Sequence, residues 1–205
     1  MEKKEELAGF RLEKRLLDSG FSLICGIDES GRGSLCGPVV ASACILDPDN
    51  IPDGITDSKL LDPIRREGLF KEIVSSAIAW GIGTVDNNQI DQINILEATK
   101  KAMRLAFNSL KKKPDYLLID YVKLCDLKIS QKSYIKGDEN ILSISAASIL
   151  AKVSRDKIMM RYHKLYPHYN WKANKGYPTE QHREAIVRYG PTRLHRRTFN
   201  SVLLE

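Results

Sequence analysis

The sequence predicts a mixed α/β fold, in which helices flank a sheet and a mostly helical segment follows at the C-terminal end. Three observations lead to this prediction. Two early apolar stretches of strand length are joined by a glycine-rich turn, and later stretches of this kind alternate with amphipathic helical patterns. The last quarter of the chain carries mainly helical patterns, so we expect it to pack against the sheet.

The first elements are a helix, a β-hairpin and a second helix. Apolar residues at helical spacing predict a helix over residues 4–18. Residues 21–28 and 38–46 are apolar runs of strand length on either side of a glycine-rich turn, which is the pattern of a hairpin. Asp62 followed by Pro63 predicts the start of the next helix, because aspartate caps helices and proline is tolerated at their first position.

The remaining elements alternate between strands and helices. In chain order, the pattern predicts a strand over 77–85, a helix over about 90–110, a strand over 116–119, a helix near 144–165 and a helix from Thr179 that closes at Gly190. Lysines 111–113 and Pro114 close the helix over 90–110, because cations suit the negative end of a helix dipole and proline stops the helix.

The composition is that of an ordinary globular protein. The chain has 205 residues, 42% of them hydrophobic and 28% charged, which fits one domain. No apolar run approaches the ~18 residues of a membrane-spanning helix. The charged, amphipathic start is also unlike a signal peptide. We therefore expect a soluble, cytoplasmic protein without a membrane partner.

The charge is distributed unevenly along the chain. The net charge is +6, from 32 Lys and Arg against 26 Asp and Glu. Residues 1–154 hold 21 cations and 22 acids, a net charge of −1, whereas residues 155–205 hold 11 cations and 4 acids, a net charge of +7. A basic end on a near-neutral body suggests a surface that binds a polyanion, with nucleic acid the leading candidate. A solvated helical face is the alternative that charge alone leaves open.

Acidic residues follow two of the predicted strands. Asp28 and Glu29 end the first strand, Asp120 ends the strand over 116–119, and Asp138 lies in a later glycine-containing turn. Sites of α/β proteins are commonly built at strand ends. Converging carboxylates repel one another unless a divalent cation neutralises them, and oxygen ligands favour Mg²⁺ or Mn²⁺. Each acid taken alone could instead be a cap or turn residue.

The loop after the first strand contains two closely spaced glycines. Adjacent strand residues point to opposite faces, so Asp28 and Glu29 are expected to address one site only if Gly31 and Gly33 break the strand there. A dinucleotide-binding loop is excluded, because the third glycine comes one position late and a strand follows it. The loop is better suited to bring backbone N–H groups close to a ligand, with Arg32 as a planar donor.

Taken together, these segments resemble ribonuclease HII. The resemblance rests on the following stretches in order: GIDESGRG at 26–33, GPVV at 37–40, TDSKL at 56–60, LID at 118–120, KGD at 136–138, SAASILAKVSRD at 145–156, GYPT at 176–179, GP at 190–191 and HR at 195–196. It implies an RNase H-like, mixed five-stranded sheet flanked by helices. It also implies one catalytic domain over 1–205, in which 155–205 form a basic, helical substrate-binding extension.

The resemblance implies an endonuclease that cleaves the RNA strand of RNA–DNA hybrids. Incision would also occur 5′ of single ribonucleotides embedded in duplex DNA, leaving 3′-hydroxyl and 5′-phosphate ends. Asp28, Glu29, Asp120 and Asp138 match the four catalytic acids of the family, and the first three match its metal ligands. Two Mg²⁺ or Mn²⁺ ions about 3.5–4 Å apart would then activate a water and stabilise the leaving 3′ oxygen.

The resemblance also implies which residues contact substrate. The loop formed by Gly31, Arg32 and Gly33 would read the 2′-hydroxyl, the group that separates RNA from DNA. Tyr177 would stack on the sugar beyond the junction, although a packing role suits an isolated tyrosine as well. Lys59 is expected to contact phosphate, with a local role near a helix start as the alternative.

Further expectations concern the basic end and the rival functions. We expect the four histidines at the surface or facing phosphate, Lys152 and Arg155 facing the nucleic-acid backbone, and Asp156 in an ion pair. The protein is expected to act as a monomer. Two rival functions stay open: a protein that binds RNA–DNA hybrids without cutting, and a nuclease that cuts long hybrids only.

Overall fold

The computed structural model describes residues 10–199 and 202, and it has a five-stranded mixed sheet at its centre. The strands are β1 (Ile24–Ser30), β2 (Val39–Ile45), β3 (Ala79–Val85), β4 (Tyr116–Asp120) and β5 (Ser130–Tyr134). Their order in the sheet is β3-β2-β1-β4-β5. The β1–β2 and β2–β3 pairs are antiparallel, and the β1–β4 and β4–β5 pairs are parallel. The predicted fold class is therefore confirmed.

Helices flank this sheet and form most of the C-terminal part. They are α1 (Arg11–Asp18), α2 (Pro63–Ser76), α3 (Asn87–Asn108), α4 (Gly137–Asn140), α5 (Leu142–Leu165), α6 (Trp171–Asn174) and α7 (Glu180–Tyr189), with a short 3₁₀ helix at Pro167–Tyr169. The start of the helix predicted over 4–18 lies outside the described residues. Within the described part of the chain, no helix is both long enough and apolar enough to cross a membrane.

Several of the predicted helix ends are confirmed. The Asp62 carboxylate accepts hydrogen bonds from the N–H groups of Ile64 and Arg65 at the start of α2. The Lys113 ammonium donates to the carbonyls of Phe107 and Asn108 at the end of α3. These side chains satisfy backbone groups that a helix leaves unpaired at its ends.

The sheet is covered by α3 on one face and by α5 on the other. Cys25 and Ile27 of β1 pack into the apolar cluster that contains Ala98 and Met103 of α3. Residues of opposite parity face α5, since side chains alternate along a strand. At Gly26 a Cβ atom would lie 2.1 Å from the Ser143 carbonyl carbon. The N-terminal end of α5 thus lies directly on β1, two residues before Asp28.

The C-terminal part packs on the loop that follows β1. Leu35 and Cys36 of this loop form a buried cluster with side chains from the end of α5 and from the segments after it: Met159, Tyr169, Trp171, Ala185, Ile186 and Val202. Helix α5 passes from the sheet into this cluster, so residue 155 lies in the middle of one continuous helix. The loop after β1 is therefore clamped between the sheet and the basic end of the chain.

Candidate active site

Three carboxylates meet where β1 and β4 end. These strands are parallel neighbours, with Ile27 opposite Ile119, so Asp28 and Asp120 follow side by side in the same register. One carboxylate oxygen from each of Asp28, Glu29 and Asp120 lies within 4.8 Å of the other two. The parallel pairing accounts for this meeting, because it aligns the carboxyl ends of both strands at one edge of the sheet.

The expected break in β1 comes later than the sequence suggested. The strand continues through Asp28 and Glu29 and ends at Ser30, so both acids lie within regular pairing with β2. Gly31 then leaves the strand with a φ of +97°. The expectation that the strand must break at the acids was therefore wrong, since Glu29 reaches the cluster from within the strand.

Burial and mutual repulsion set the protonation of these acids. Burial raises the pKa of Asp28 well above its usual range, and the nearby carboxylates of Glu29 and Asp120 raise it further. Burial also raises the pKa of Glu29, although the Arg32 guanidinium acts in the opposite direction. At Asp120 burial again raises the pKa, opposed mainly by the hydrogen bond from the Gly137 N–H. Simultaneous ionisation of all three carboxylates is therefore unfavourable.

This set of donors fits a hard divalent cation. The Glu29 Oε2 atom is buried and has no hydrogen-bond partner among the described residues. An unpaired buried carboxylate oxygen is unfavourable, and a bound cation would both pair it and offset the repulsion between the acids. The ligand atoms are all carboxylate oxygens, which suits Mg²⁺ or Mn²⁺ better than zinc.

Asp138 lies beside this group and is paired with Lys59. The Lys59 ammonium is 2.6 Å from Asp138 Oδ2 and 3.8 Å from Asp57 Oδ1. Asp138 is buried in the first turn of α4, and the N–H of the preceding Gly137 donates to Asp120 Oδ1 over 2.7 Å. The short helix α4 thereby ties Asp138 to the three-carboxylate group. Lys59 is directed at an acid here, and its side chain as a whole stays largely exposed.

A cleft of about 990 Å³ runs past these acids. Besides the four carboxylates, it is lined by cations from α2, α5 and the segment after α5: Arg66, Lys152, Lys157, Arg161, Lys172 and Lys175. Two further acids of the lining, Asp156 and Glu67, are paired with Lys152 and Lys157. A wall of cations next to a group of acids suits a polyanion whose phosphate is held at a metal site. The lining includes cations from the segment that sequence analysis identified as basic.

The three residues of the loop after β1 have different environments. Gly31 needs its positive φ, and a Cβ on it would lie 2.0 Å from Arg155 Nε. The Arg32 guanidinium lies 3.3 Å from Glu29 Oε1 and 4.5 Å from the centre of the Tyr121 ring. Gly33 has no such constraint, since a Cβ there would meet nothing within 4 Å. All three residues line the cleft.

Tyr177 lines the same cleft from the C-terminal side. Its ring is half-buried, with the Arg155 guanidinium 5.3 Å and the Lys152 ammonium 5.7 Å from its centre. The preceding Gly176 accepts a hydrogen bond from the Leu35 N–H, which joins this segment to the loop after β1. The structure therefore brings Tyr177 and the glycine loop to one cleft.

Two expectations about α5 have different outcomes. The ion pair expected for Asp156 is confirmed, with the Lys152 ammonium 2.8 Å from its carboxylate. Arg155 was expected to face the nucleic-acid backbone, and this was wrong: it is buried and donates to backbone carbonyls of the protein. An arginine three residues from Lys152, which lines the cleft, gives no sign in the sequence that it lies on the inner face.

The expectation of surface histidines was wrong for two of the four. His182 and His195 are fully buried, and their Nε2 atoms are 3.2 Å apart. Trp171 Nε1 donates to His182 Nε2 over 3.0 Å. His182 could have been placed from its helical spacing to Ala185 and Ile186, which makes it part of the apolar face of α7. No local pattern marks His195, which lies in an irregular segment.

Comparisons with known proteins give a consistent result. A family model described as Ribonuclease HII matches residues 25–202. A Ribonuclease HII from Caldanaerobacter subterraneus subsp. tengcongensis is 50% identical over 193 residues, covering 94% of this chain and 80% of the relative. One from Caldicellulosiruptor saccharolyticus is 48% identical and covers 96% of both chains. The crystal structure of the ribonuclease H2 from Pyrococcus horikoshii OT3 is similar with a TM-score of 0.73 at 28% identity, covering 88% of this chain and 95% of that one.

Proposed function

The chain belongs to the ribonuclease HII family, and on this premise we propose that it incises duplexes 5′ of ribonucleotides, including single ribonucleotides embedded in DNA. As a member of this family it is a divalent-metal-dependent endoribonuclease that hydrolyses the RNA strand of RNA–DNA hybrids. The finer proposal concerns where it cuts and which residues act. It is supported chiefly by one observation: a group of three carboxylates that fits a cation shares its cleft with a glycine-rich loop.

We propose that Asp28, Glu29 and Asp120 hold the metal, which is Mg²⁺ or Mn²⁺. Bound there, the metal would supply activation of a water and stabilisation of the leaving 3′ oxygen, and the products would carry 3′-hydroxyl and 5′-phosphate ends. The protein itself supplies position and charge, which is most of what phosphodiester hydrolysis requires. Asp138 completes the catalytic set from its place beside Asp120, to which α4 links it.

We propose that two parts of the cleft lining recognise the ribonucleotide: the loop after β1 and Tyr177. The loop of Gly31, Arg32 and Gly33 would contact the 2′-hydroxyl, and Tyr177 would stack on the sugar beyond the junction. Lys59, whose side chain is largely exposed, would contact a phosphate while staying near Asp138. The remaining cations of the cleft would hold the duplex without sequence preference.

We further propose that residues 1–205 act as one catalytic domain, in which 155–205 supply the basic substrate-binding surface. The continuous helix α5 and the buried contacts of Leu35 and Cys36 with the C-terminal part support this single unit. The protein is proposed to act on nucleic acid as a cytoplasmic monomer.

The decisive experiment uses an end-labelled DNA duplex with one embedded ribonucleotide, incubated with the protein and either Mg²⁺ or Mn²⁺. We expect a single cut on the 5′ side of the ribonucleotide that leaves a 3′-hydroxyl. Asp28→Asn should lower the rate by at least about a thousandfold, because it removes a central ligand. Asp126→Asn is the matched control, since Asp126 is an exposed carboxylate outside the cleft, paired with Arg104.

The same assay separates the two rival functions. Cleavage of an all-RNA hybrid with no cut at a single ribonucleotide would favour a nuclease specific for long hybrids. Tight binding that is indifferent to EDTA, with no product from either substrate, would favour a binding protein. Full activity of Asp28→Asn would overturn the proposed metal site.

A further inference from the structure

Arg196 is a fully buried arginine that lies under the loop after β1. Its guanidinium donates to three backbone carbonyls: Nη2 to Gly31 over 2.7 Å, Nη1 to Arg32 over 2.8 Å and Nε to Gly37 over 3.1 Å. Among the described residues, no carboxylate forms an ion pair with it within 4.0 Å. A buried cation without a counter-ion is unfavourable, so these carbonyl contacts are its main compensation.

The contacts of Arg196 determine where the loop directs its N–H groups. In a trans peptide, the carbonyl and the following N–H point in opposite directions. Because the carbonyls of Gly31 and Arg32 point at Arg196, the N–H groups of Arg32 and Gly33 point away from it. Within the described part of the chain, neither of these N–H groups donates a hydrogen bond. Both residues line the cleft.

A second buried arginine holds the other side of the loop. Arg155 donates to the carbonyls of Cys36 and Pro38 over 3.2 and 3.0 Å, and to that of Lys175 over 2.9 Å. Its side chain also fills the space that a Cβ on Gly31 would need. Arg155 therefore joins the loop to the segment that carries Tyr177, whereas Arg196 sets the orientation of the loop peptides themselves.

We propose that Arg196 is a positioning residue for ribonucleotide recognition. It holds the Gly31 and Arg32 carbonyls inward, so that the N–H groups of Arg32 and Gly33 face the cleft as paired donors for the ribose 2′-hydroxyl. This inference rests on the function proposed above and adds to it a residue that does not touch substrate. An arginine is needed because its planar fork reaches three carbonyls at once, which a lysine ammonium at the same place does not.

The test is a comparison of binding to two duplexes that differ in a single 2′-hydroxyl. Dissociation constants are measured with Ca²⁺ in place of Mg²⁺, and only uncut duplex is scored. We expect the unmodified protein to prefer the ribonucleotide-containing duplex, and Arg196→Lys to lose about tenfold of that preference. Binding of the all-DNA duplex should stay within about twofold, because the cations of the cleft are untouched. An unchanged preference in Arg196→Lys would overturn the proposal.

Two controls separate positioning from a general loss of stability. Ile73→Val loosens a buried site on α2 outside the cleft, so it lowers stability without reaching the loop. Arg104→Lys makes the same chemical change at a surface ion pair. Both should keep the full preference for the ribonucleotide duplex. A loss of preference in Ile73→Val equal to that in Arg196→Lys would return Arg196 to a purely structural role.

A measurement on the unmodified protein keeps the proposal testable if Arg196→Lys does not fold. Amide hydrogen exchange of Arg32 and Gly33 is followed by NMR with each duplex in Ca²⁺. We expect protection of both amides by the ribonucleotide duplex and much less by the all-DNA duplex. Equal exchange in the two complexes would overturn the proposal. Cleavage by the unmodified protein in Mg²⁺ is scored separately, so a failure of the proposed activity is not mistaken for a failure of this inference.

Discussion

Neighbouring residues of the site meet quite different physical demands. Asp28 is buried between two other acids, so its place in the fold is unfavourable for a carboxylate and favourable for a metal ligand. In the loop that follows, Gly31 and Gly33 are both glycines, but for different reasons. Gly31 has a positive φ and Arg155 beside it, whereas Gly33 has neither a positive φ nor a close neighbour. The absence of a side chain at Gly33 therefore leaves room in the cleft.

This contrast predicts different outcomes for the same substitution at the two glycines. Gly33→Ala should fold with a change of no more than about 0.5 kcal/mol in the free energy of unfolding, because nothing in the chain is displaced. Its cleavage of a duplex with one ribonucleotide should fall by at least about tenfold, since the new methyl group enters the space for the ligand. Gly31→Ala should lose at least about 2 kcal/mol of stability from strain and overlap. Chemical denaturation and initial rates measure both effects.

Either glycine variant can contradict this interpretation. Full cleavage activity of Gly33→Ala would show that the ligand does not approach that position. A fully stable Gly31→Ala would show that Arg155 can move away without consequence.

Patterns in the sequence identified the acids of the site but did not reveal the buried side chains that hold the neighbouring segments in place. Asp28, Glu29 and Asp120 could be predicted because they follow apolar runs of strand length, and such runs are recognisable locally. The burial of Arg196 and His195 could not be predicted in this way, because both lie in an irregular segment. The hydrogen-bond partners of Arg196 are more than 150 residues away in the sequence. Burial that depends on such distant contacts leaves no periodic signal in the chain.

At the scale of elements, helix α5 carries much of the cleft and takes its N-terminal cap from another helix. No side chain of its own caps it at Ile141. Instead, the Glu13 carboxylate of α1 accepts a hydrogen bond from the Ser143 N–H over 2.8 Å. Glu13 is buried, and this burial raises its pKa above the usual value. An acid at this place also suits the positive end of the helix dipole.

The remote cap predicts a graded response to substitution of Glu13. Glu13→Ala should lower the free energy of unfolding by about 1–2 kcal/mol, because an N–H in the first turn loses its acceptor. Glu13→Gln keeps an acceptor and should lose much less. The raised pKa means that the folded state disfavours the charged form, so the contribution of Glu13 to stability falls as pH rises through its titration range. The stability of Glu13→Gln relative to the unmodified protein should therefore be higher at pH 8 than at pH 5.

Thermal unfolding of the three proteins at both pH values tests this prediction. An alanine variant as stable as the parent at both values would show that α5 needs no cap from α1. A glutamine variant whose stability relative to the parent is lower at pH 8 than at pH 5 would contradict the effect assigned to burial.

Elements were predictable where their pattern was local. The strand β5 was missed because its sequence, SQKSY, is polar and it lies at the edge of the sheet. The helix α3 contains Asn94 with a φ of 63°, and the Asn94 side chain accepts from the N–H groups of Leu96 and Glu97. The helical pattern runs through this point without interruption, so spacing alone does not reveal the kink.

At the scale of the whole molecule, a buried polar contact holds two parts of the basic end together, and one of its histidines, His195, also pairs with Cys36 of the loop after β1. His182 Nδ1 lies 2.9 Å from the Tyr177 carbonyl, and His195 Nδ1 accepts from the Thr192 N–H over 2.8 Å. The direct contact between the two Nε2 atoms then links the Tyr177 segment to the chain before Arg196. The charge asymmetry of the sequence predicted a basic end, but the two histidines that join its parts carry no charge in this arrangement.

The buried pair of histidines predicts a loss of stability in acid. Burial, together with the neighbouring His182, lowers the pKa of His195 to about 4. The unfolded chain takes up its proton near pH 6.5, so this contribution is present above that value and is lost as pH falls towards 4. The loss for His195 should approach about 3 kcal/mol near pH 4. His195→Asn keeps an acceptor for Thr192 without titrating, so its difference in Tm from the unmodified protein should shrink as pH falls.

Tm is measured at intervals between pH 7.5 and 4.5, with His168→Asn as the matched control. His168 is exposed, so its variant should show a constant difference from the parent. A constant difference for His195→Asn as well would show that the buried histidine is not what titrates.

The contact at Gly26 fixes a dimension of the enzyme. With no side chain between β1 and the Ser143–Ile144 backbone, the height of α5 above the strand is set by two main chains touching, rather than by the size of any residue. Ser148 and Lys152 stand on the helix, and Asp28 stands two residues along the strand from the point of contact. Substitutions elsewhere in the core can therefore alter the packing of side chains and leave the distance between β1 and α5 unchanged. The distance between Asp28 on the strand and Lys152 on the helix is preserved with it.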